Sequence, residues 1–271
     1  MHQSQSQPQI PRLIDIGINL CHDRFDTDRN QVLERAQAAG VEHLIVTGSC
    51  APSNRAALAL SKAHPERISA TAGIHPHHAE QTHAETWPEL ETLCAHPQVK
   101  AVGETGLDFF RHFSDPKIQV QVFERHLELA VANQKPLFLH QRDAHKTFLP
   151  ILKTYRPEIS RGVVHCFTDS KQALFDYLDL DMHIGITGWI CDDQRGAHLR
   201  DLVKNIPGDR LMIETDGPYL LPKNLQPKPK SRRNEPKYLP HIAQYIAHCC
   251  GISFERLANQ TRQTAQTFFD I

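Results

Sequence analysis

Eight times along this chain a short apolar run gives way to a stretch with helical spacing, and this alternation constrains the fold more than any other feature. Leu13 to Leu20, Leu44 to Thr47, Ile68 to Ile74 and Val99 to Glu104 read as strands. So do Pro136 to Leu139, Gly162 to Val164, His183 to Thr187 and Leu211 to Ile213. Helical spacing follows each, as in Phe148, Ile151, Leu152 and Tyr155 at i, i+3, i+4, i+7. The helices around Pro240 to Cys250 and Ser253 to Phe269 close the chain. Repeated βα units with near-continuous apolar strands imply a parallel sheet in an α/β protein. Eight units in roughly 250 residues is the size of a TIM (β/α)8 barrel. An open doubly wound sheet is the second choice, but no G-x-G-x-x-G follows the first strand. Residues 12–271 are read as one domain. Residues 1–11, rich in Gln, Ser and Pro, are read as a mobile tail.

The strands end on residues that an apolar strand does not need. Asn19, His75, Glu104, His140, His165 and Asp216 occupy those ends. A carboxylate closing an apolar strand is costly unless something pairs with it. A histidine at one such end is ordinarily structural. In a barrel, however, all the C-terminal strand ends face one mouth. Carboxylates and imidazoles converging there make a set of N and O donors for a divalent metal, suited to metal-assisted hydrolysis.

Other residues near the mouth carry weaker expectations. His77 either meets a substrate phosphate or is a solvated loop histidine. Arg142 follows His140 and is placed to clamp an anion. Asp143 is read as its partner or a helix cap, and Cys166 as packing. The Pro-rich segment after Asp216 carries Lys223, Lys228, Lys230, Arg232 and Arg233, a basic rim that fits a phosphodiester. Tyr219, Trp189 and Phe109 lie just past strand ends, where they stack on bases or belong to the core. His43, His96, His126, His198 and His241 are expected at the surface.

Charge and cysteine usage exclude several classes. Thirty Lys and Arg balance 31 Asp and Glu, which argues against non-specific coating of nucleic acid. Seven scattered Cys without C-x-x-C fit reduced thiols in the cytoplasm. No apolar run approaches the roughly 20 residues that span a bilayer.

The stretches TAGIHPH (71–77), GETGLDF (103–109), FLHQRDAH (138–145), VVHCFT (163–168), IGITGW (184–189), IETDGPYLLP (213–222) and SRRNEP (231–236) carry a resemblance. Together they resemble the TatD-type metal-dependent deoxyribonucleases, a branch of the amidohydrolase-like TIM barrels. The resemblance covers nearly the whole chain from the first strand. It implies metal ligation by Glu104, His140 and His165, with Asp216 as ligand or general base and His75 in the active site. It also implies 3′→5′ exonuclease activity on single-stranded DNA, with RNA as a further substrate, and magnesium as the cofactor. Most relatives open with Asp-x-His-x-His, whose two histidines hold a second metal. Here the stretch is Asp15-Ile16-Gly17-Ile18-Asn19, so one tight site is expected.

The working expectation is a monomeric phosphodiesterase acting on nucleic-acid ends. In it Asp216, Glu104 and His75 are catalytic, and His77, Arg142, Arg232 and Arg233 bind substrate. On ligand softness alone, manganese or zinc suits two imidazoles better than magnesium. The rival readings are an amidohydrolase or lactonase acting on a carbonyl, and a barrel that binds nucleic acid without cutting it.

Overall fold

The alternation is realised as eight parallel strands that pair in chain order. They are β1 (Leu13–Ile18), β2 (Val41–Val46), β3 (Ile68–Ala72), β4 (Val99–Asp108), β5 (Leu137–Arg142), β6 (Gly162–Val164), β7 (His183–Ile186) and β8 (Leu211–Ile213). A computed structural model describes residues 10–271; the expected tail falls mostly on residues 1–9, which lie outside the described residues. Between the strands run α1 (Arg29–Ala38), α2 (Ala51–Ala63), α3 (Thr86–Ala95), α4 (Pro116–Asn133), α5 (His145–Tyr155), α6 (Lys171–Asp179) and α7 (Leu199–Leu202). α8 (Leu239–Cys250) and α9 (Phe254–Phe269) follow β8. Just past β8 the chain returns to β1: Asp216 N donates to Gly17 O and Asn19 N to Gly217 O, both at 2.8 Å.

Along β1, β2, β4, β5, β6 and β8 neighbouring side chains divide between two apolar clusters. Ile14, Ile16, Ile45, Ala101, Phe138, Val163 and Met212 form the smaller one with Phe268 and Phe269 of α9. Their neighbours Leu13, Leu44, Val46, Val102, Leu137, Leu139, Val164, Leu211 and Ile213 belong to the larger one, shared with the helices. The smaller cluster is therefore the inside of the barrel, closed at its lower end by α9. Counting upward in twos from these inward residues reaches His140 on β5, His165 beyond β6, and Glu214 and Asp216 beyond β8. The same period that fills the lumen thus delivers the acids and imidazoles to its mouth.

β4 departs from the expectation that it ends at Glu104, since it continues to Asp108. Its pairing with β5 skips one residue between Gly103 and Thr105. Glu104 is the extra residue of this bulge, which turns its side chain inward. Its N–H donates to Gly48 O at 2.8 Å. Gly103 and Gly106 make the extension feasible. They adopt φ of 142° and 143°, and a Cβ on them would lie 2.2 Å from Phe138 O and 1.9 Å from His140 O.

Several boundaries also moved. α4 begins at Pro116, earlier than its apolar face indicates, because Asp115 caps it by accepting Lys117 N–H at 2.7 Å. His126 on α4 is not at the surface but fully buried. Its Nδ1 pairs with Val122 O at 2.7 Å, and its Nε2 accepts Ile74 N–H at 2.9 Å. It supports the backbone beside His75.

Candidate active site

Three imidazoles from three strand ends converge on one carboxylate oxygen. Glu104 Oε1 lies 2.8 Å from His165 Nε2, 3.1 Å from His140 Nδ1 and 3.3 Å from His75 Nε2. All four side chains are largely withdrawn from solvent. Burial alone would push the Glu104 carboxyl up, but His75, His165 and His140 outweigh it and hold the group well below its ordinary value.

Two of these imidazoles are backed by a carboxylate on the far nitrogen. His165 Nδ1 lies 3.3 Å from Glu214 Oε2. His140 Nε2 lies 3.4 Å from Asp108 Oδ2, buried and without hydrogen-bond geometry to any partner. Burial lowers both histidines, yet their carboxylate neighbours win and both are raised, His165 the more strongly. At His165 the bonded carboxylate on the outer nitrogen fixes the tautomer and prepares the inner nitrogen to ligate, whereas at His140 Asp108 acts through its charge.

His75 is wired differently. Its Nδ1 accepts His77 N–H at 3.0 Å. Burial lowers its pKa to about 4, so the ring is neutral. A neutral ring accepting at Nδ1 carries its proton on Nε2, the nitrogen that faces Glu104. Ligand atoms of His75, Glu104 and His140 do lie within 4.8 Å of one another, a group compact enough to hold a metal ion. By hydrogen bonding, His165 is better prepared to ligate than His75.

Asp216 and Glu214 come from the same inward row. Asp216 adopts φ 53° and accepts Asn19 Nδ2–H at 2.9 Å. Burial pushes its carboxyl up to about 7 against the pull of His165, with Glu104 and Glu214 adding to the rise. Glu214, to which sequence reasoning assigned no role, is fully buried. Its Oε1 accepts Cys166 N–H at 2.5 Å. Glu214 fits because Gly17 and Gly185 flank it; a Cβ there would lie 2.3 Å and 2.6 Å from its carboxylate oxygens. Asp15 is equally buried and binds Thr215 through N–H at 2.9 Å and Oγ1–H at 2.5 Å. Both acids were findable: Glu214 stands two residues before Asp216, and Asp15 two before Gly17.

The remaining expected substrate residues divide. His77 Nε2 pairs with Asp108 Oδ2 at 2.6 Å. Arg142 Nη1 donates to Thr168 Oγ1 at 3.2 Å, and its guanidinium lies over the rings of Phe110 and Trp189. Arg232 is exposed. Arg233 instead donates to both Asp28 oxygens at 2.7 Å, to Glu235 at 2.8 Å and to Arg24 O at 2.6 Å. Those bonds bind the segment after β8 to the β1–α1 connection. Phe109 packs against the core, whereas Phe110 next to it is exposed.

A (β/α)8 barrel whose mouth gathers carboxylates and imidazoles in this way is a hydrolase of the metal-dependent barrel class. The TatD related DNase family matches residues 14–270, and the chain belongs to that family. The chain is 46% identical over 259 residues to a protein of Erwinia tasmaniensis named 3'-5' ssDNA/RNA exonuclease TatD, covering 96% of this chain and 100% of the relative. A protein of the same name from Citrobacter rodentium is also 46% identical, covering 96% and 98%. Among solved structures, the TatD homolog YjjV of Escherichia coli superposes with a TM-score of 0.88 at 26% identity, covering 97% of this chain and 100% of that one.

Proposed function

We propose that this chain is a metal-dependent 3′→5′ exonuclease acting on single-stranded DNA and RNA. The observation that carries the reading is the meeting of His140 and His165 on Glu104 Oε1, each ring backed by its own acid. The names of the relatives support the substrate class.

The donor set fits one divalent cation. Glu104, His140 and His165 would hold it, with Asp216 beside them. Magnesium is the expected cellular ion; manganese and zinc suit the imidazoles. A second site is poor in donors: Gly17 has none, and Asn19, held through its Nδ2–H by Asp216, offers only a neutral amide oxygen. When bound, the cation supplies Lewis-acid polarisation of a phosphoryl oxygen and a lower pKa for adjacent water.

The chain's own residues perform the rest. Asp216 takes a proton from the attacking water; a carboxyl near 7 is matched to that task at neutral pH. Asn19 orients it. His75 carries its proton on Nε2 beside Glu104 Oε1, a neutral donor for a phosphate oxygen bound next to that carboxylate. His77 holds His75 through its backbone N–H, and Asp108 in turn holds His77. Arg142 and Arg232 bind flanking phosphates. Arg233, tied to Asp28 and Glu235, positions the loop. All these residues come from one chain, so a monomer suffices. The seven free thiols fit the cytoplasm.

The test is reconstitution. Protein stripped with EDTA is assayed on a single-stranded oligonucleotide with magnesium, manganese or zinc restored. Turnover that returns with a divalent ion, and is faster on single strands than on a blunt duplex, is the expected result. Equal turnover in EDTA, or none with any ion, refutes the reading.

A further inference from the structure

Five large hydrophobic side chains are exposed among the described residues: Ile10, Phe110, Phe113, Phe175 and Tyr219. Two of them, Phe110 and Phe113, belong to one short loop beyond β4 and are 57% and 65% exposed. That loop is fixed to the catalytic centre. Asp108 Oδ1 accepts the N–H groups of Phe110 and Arg111, both at 3.0 Å, while its Oδ2 pairs with His77. The Phe113 ring meets His77 edge-on, centroids 4.8 Å apart, and His77 meets His75 at 4.2 Å. One carboxylate thus orients a residue of the site and holds the backbone that displays the rings.

On the other flank of Phe110 the Arg142 guanidinium lies 4.9 Å from its centroid and 5.3 Å from that of Trp189. Arg142 Nε is buried 3.8 Å from Asp143 Oδ1, and among the described residues the one side-chain hydrogen bond of the guanidinium runs from Nη1 to Thr168 Oγ1. An arginine stacked on rings, with a single hydrogen bond from its Nη groups, is matched to a phosphate oxygen beside a stacked base. The rings gain nothing from solvent, whereas a nucleobase laid on such a face gains stacking contact.

We infer that Phe110 and Phe113 form a stacking subsite for unpaired bases at the 3′ end of a single-stranded nucleic acid, with Arg142 taking the phosphate between them. This rests on the nuclease reading above and adds the feature that grips a single strand. Bases held in a duplex are stacked and paired with their neighbours, and must be freed before they lie on these rings. The subsite therefore contributes to preference for single strands.

The experiment compares wild type, the Phe110→Ala/Phe113→Ala double variant and the Phe110→Tyr/Phe113→Tyr variant. The substrate is an oligonucleotide with 2-aminopurine near its 3′ end, whose fluorescence is quenched by stacking on a ring. Steady-state hydrolysis and, in EDTA, equilibrium quenching are both read. The expected result is a KM about tenfold higher for the Ala variant, with kcat within about twofold and terminal quenching reduced. The Tyr variant keeps wild-type values, which separates lost stacking from a disturbed loop. Unchanged KM and quenching in the Ala variant overturn the subsite, as does loss of both in the Tyr variant. Absence of hydrolysis by wild type with every divalent ion strikes the nuclease reading instead, and the quenching arm then decides the subsite.

Discussion

Asn19 donates its side-chain amide to the carboxylate of Asp216 across 197 positions of sequence, at 2.9 Å. The bond joins the end of β1 to the residue expected to take the proton from water. The bond places a neutral donor against that carboxylate. The backbone pairs Asp216 N with Gly17 O and Asn19 N with Gly217 O hold the same two segments in register.

Removing that amide should weaken the base in a directed way. The bond favours the charged form of Asp216, so its loss raises the carboxyl further above about 7. Asn19→Ala should therefore shift the acidic limb of the pH–rate profile to higher pH and lower kcat about tenfold at neutral pH, the effect of one hydrogen bond to a charged group. An acidic limb that stays in place would show that Asn19 does not act on Asp216.

Glu214 should matter to metal affinity more than to stability. It is fully buried, accepts Cys166 N–H and faces His165 Nδ1. Glu214→Gln keeps the volume between Gly17 and Gly185 but loses the negative acceptor. Calorimetric titration should find about one divalent ion per wild-type chain and a 10–100-fold weaker site in the variant. The melting temperature should not fall in parallel. Wild-type affinity in the variant would reduce Glu214 to a packing group.

The two adjacent arginines should separate cleanly. Arg233 is bound to Asp28 and Glu235 and covers Phe25, whereas Arg232 is exposed. Arg233→Ala should destabilise the fold by about 1–3 kcal/mol, because it strands the acids it satisfied. Arg232→Ala should leave the melting temperature in place and flatten the dependence of oligonucleotide KM on salt. An unchanged salt slope would mean that Arg232 meets no phosphate.

Acid should unfold the protein through its neutral buried histidines. Burial lowers His126 to about 4 from 6.5. A histidine lowered on folding contributes stability that is complete above 6.5 and is lost as pH falls toward 4. Between pH 7.5 and 5, His126 alone should cost about 2 kcal/mol, since each pH unit below 6.5 costs about 1.4 kcal/mol. His126→Gln, which can still donate and accept, should remove that part of the pH dependence. The difference between the two proteins isolates His126 from His140 and His165, which are raised and act with the opposite sign. Parallel stability curves would contradict the assignment.

Much of this architecture is readable from the chain because its two periods do not conflict. The eight apolar runs are short and each stops at a polar residue, so strand and helix separate clearly. The inward row was equally legible: Met212, Glu214 and Asp216 are spaced by two, as are Phe138 and His140, and Val163 and His165. His126 belongs with Val122, Phe123 and Leu127 on one face of α4, so its burial was also readable from spacing. Other features depend on contacts far apart in sequence. The bulge at Glu104 needs Gly103 and Gly106 to pass close to β5. Exposure of Phe110 beside half-buried Phe109, and capture of Arg233 but not Arg232, follow from which way a loop residue faces, and no periodicity governs a loop.

The most direct measurement follows the two ends of one molecule. A single-stranded DNA labelled at its 5′ end is incubated with the protein and magnesium or manganese, and the products are resolved by length. The expected result is a ladder shortened one nucleotide at a time from the 3′ end, absent in EDTA and reduced at least 100-fold in Glu104→Gln and His140→Ala. Early release of the 5′ label as a mononucleotide, or an intact ladder from Glu104→Gln, would contradict a metal-dependent 3′→5′ exonuclease centred on Glu104.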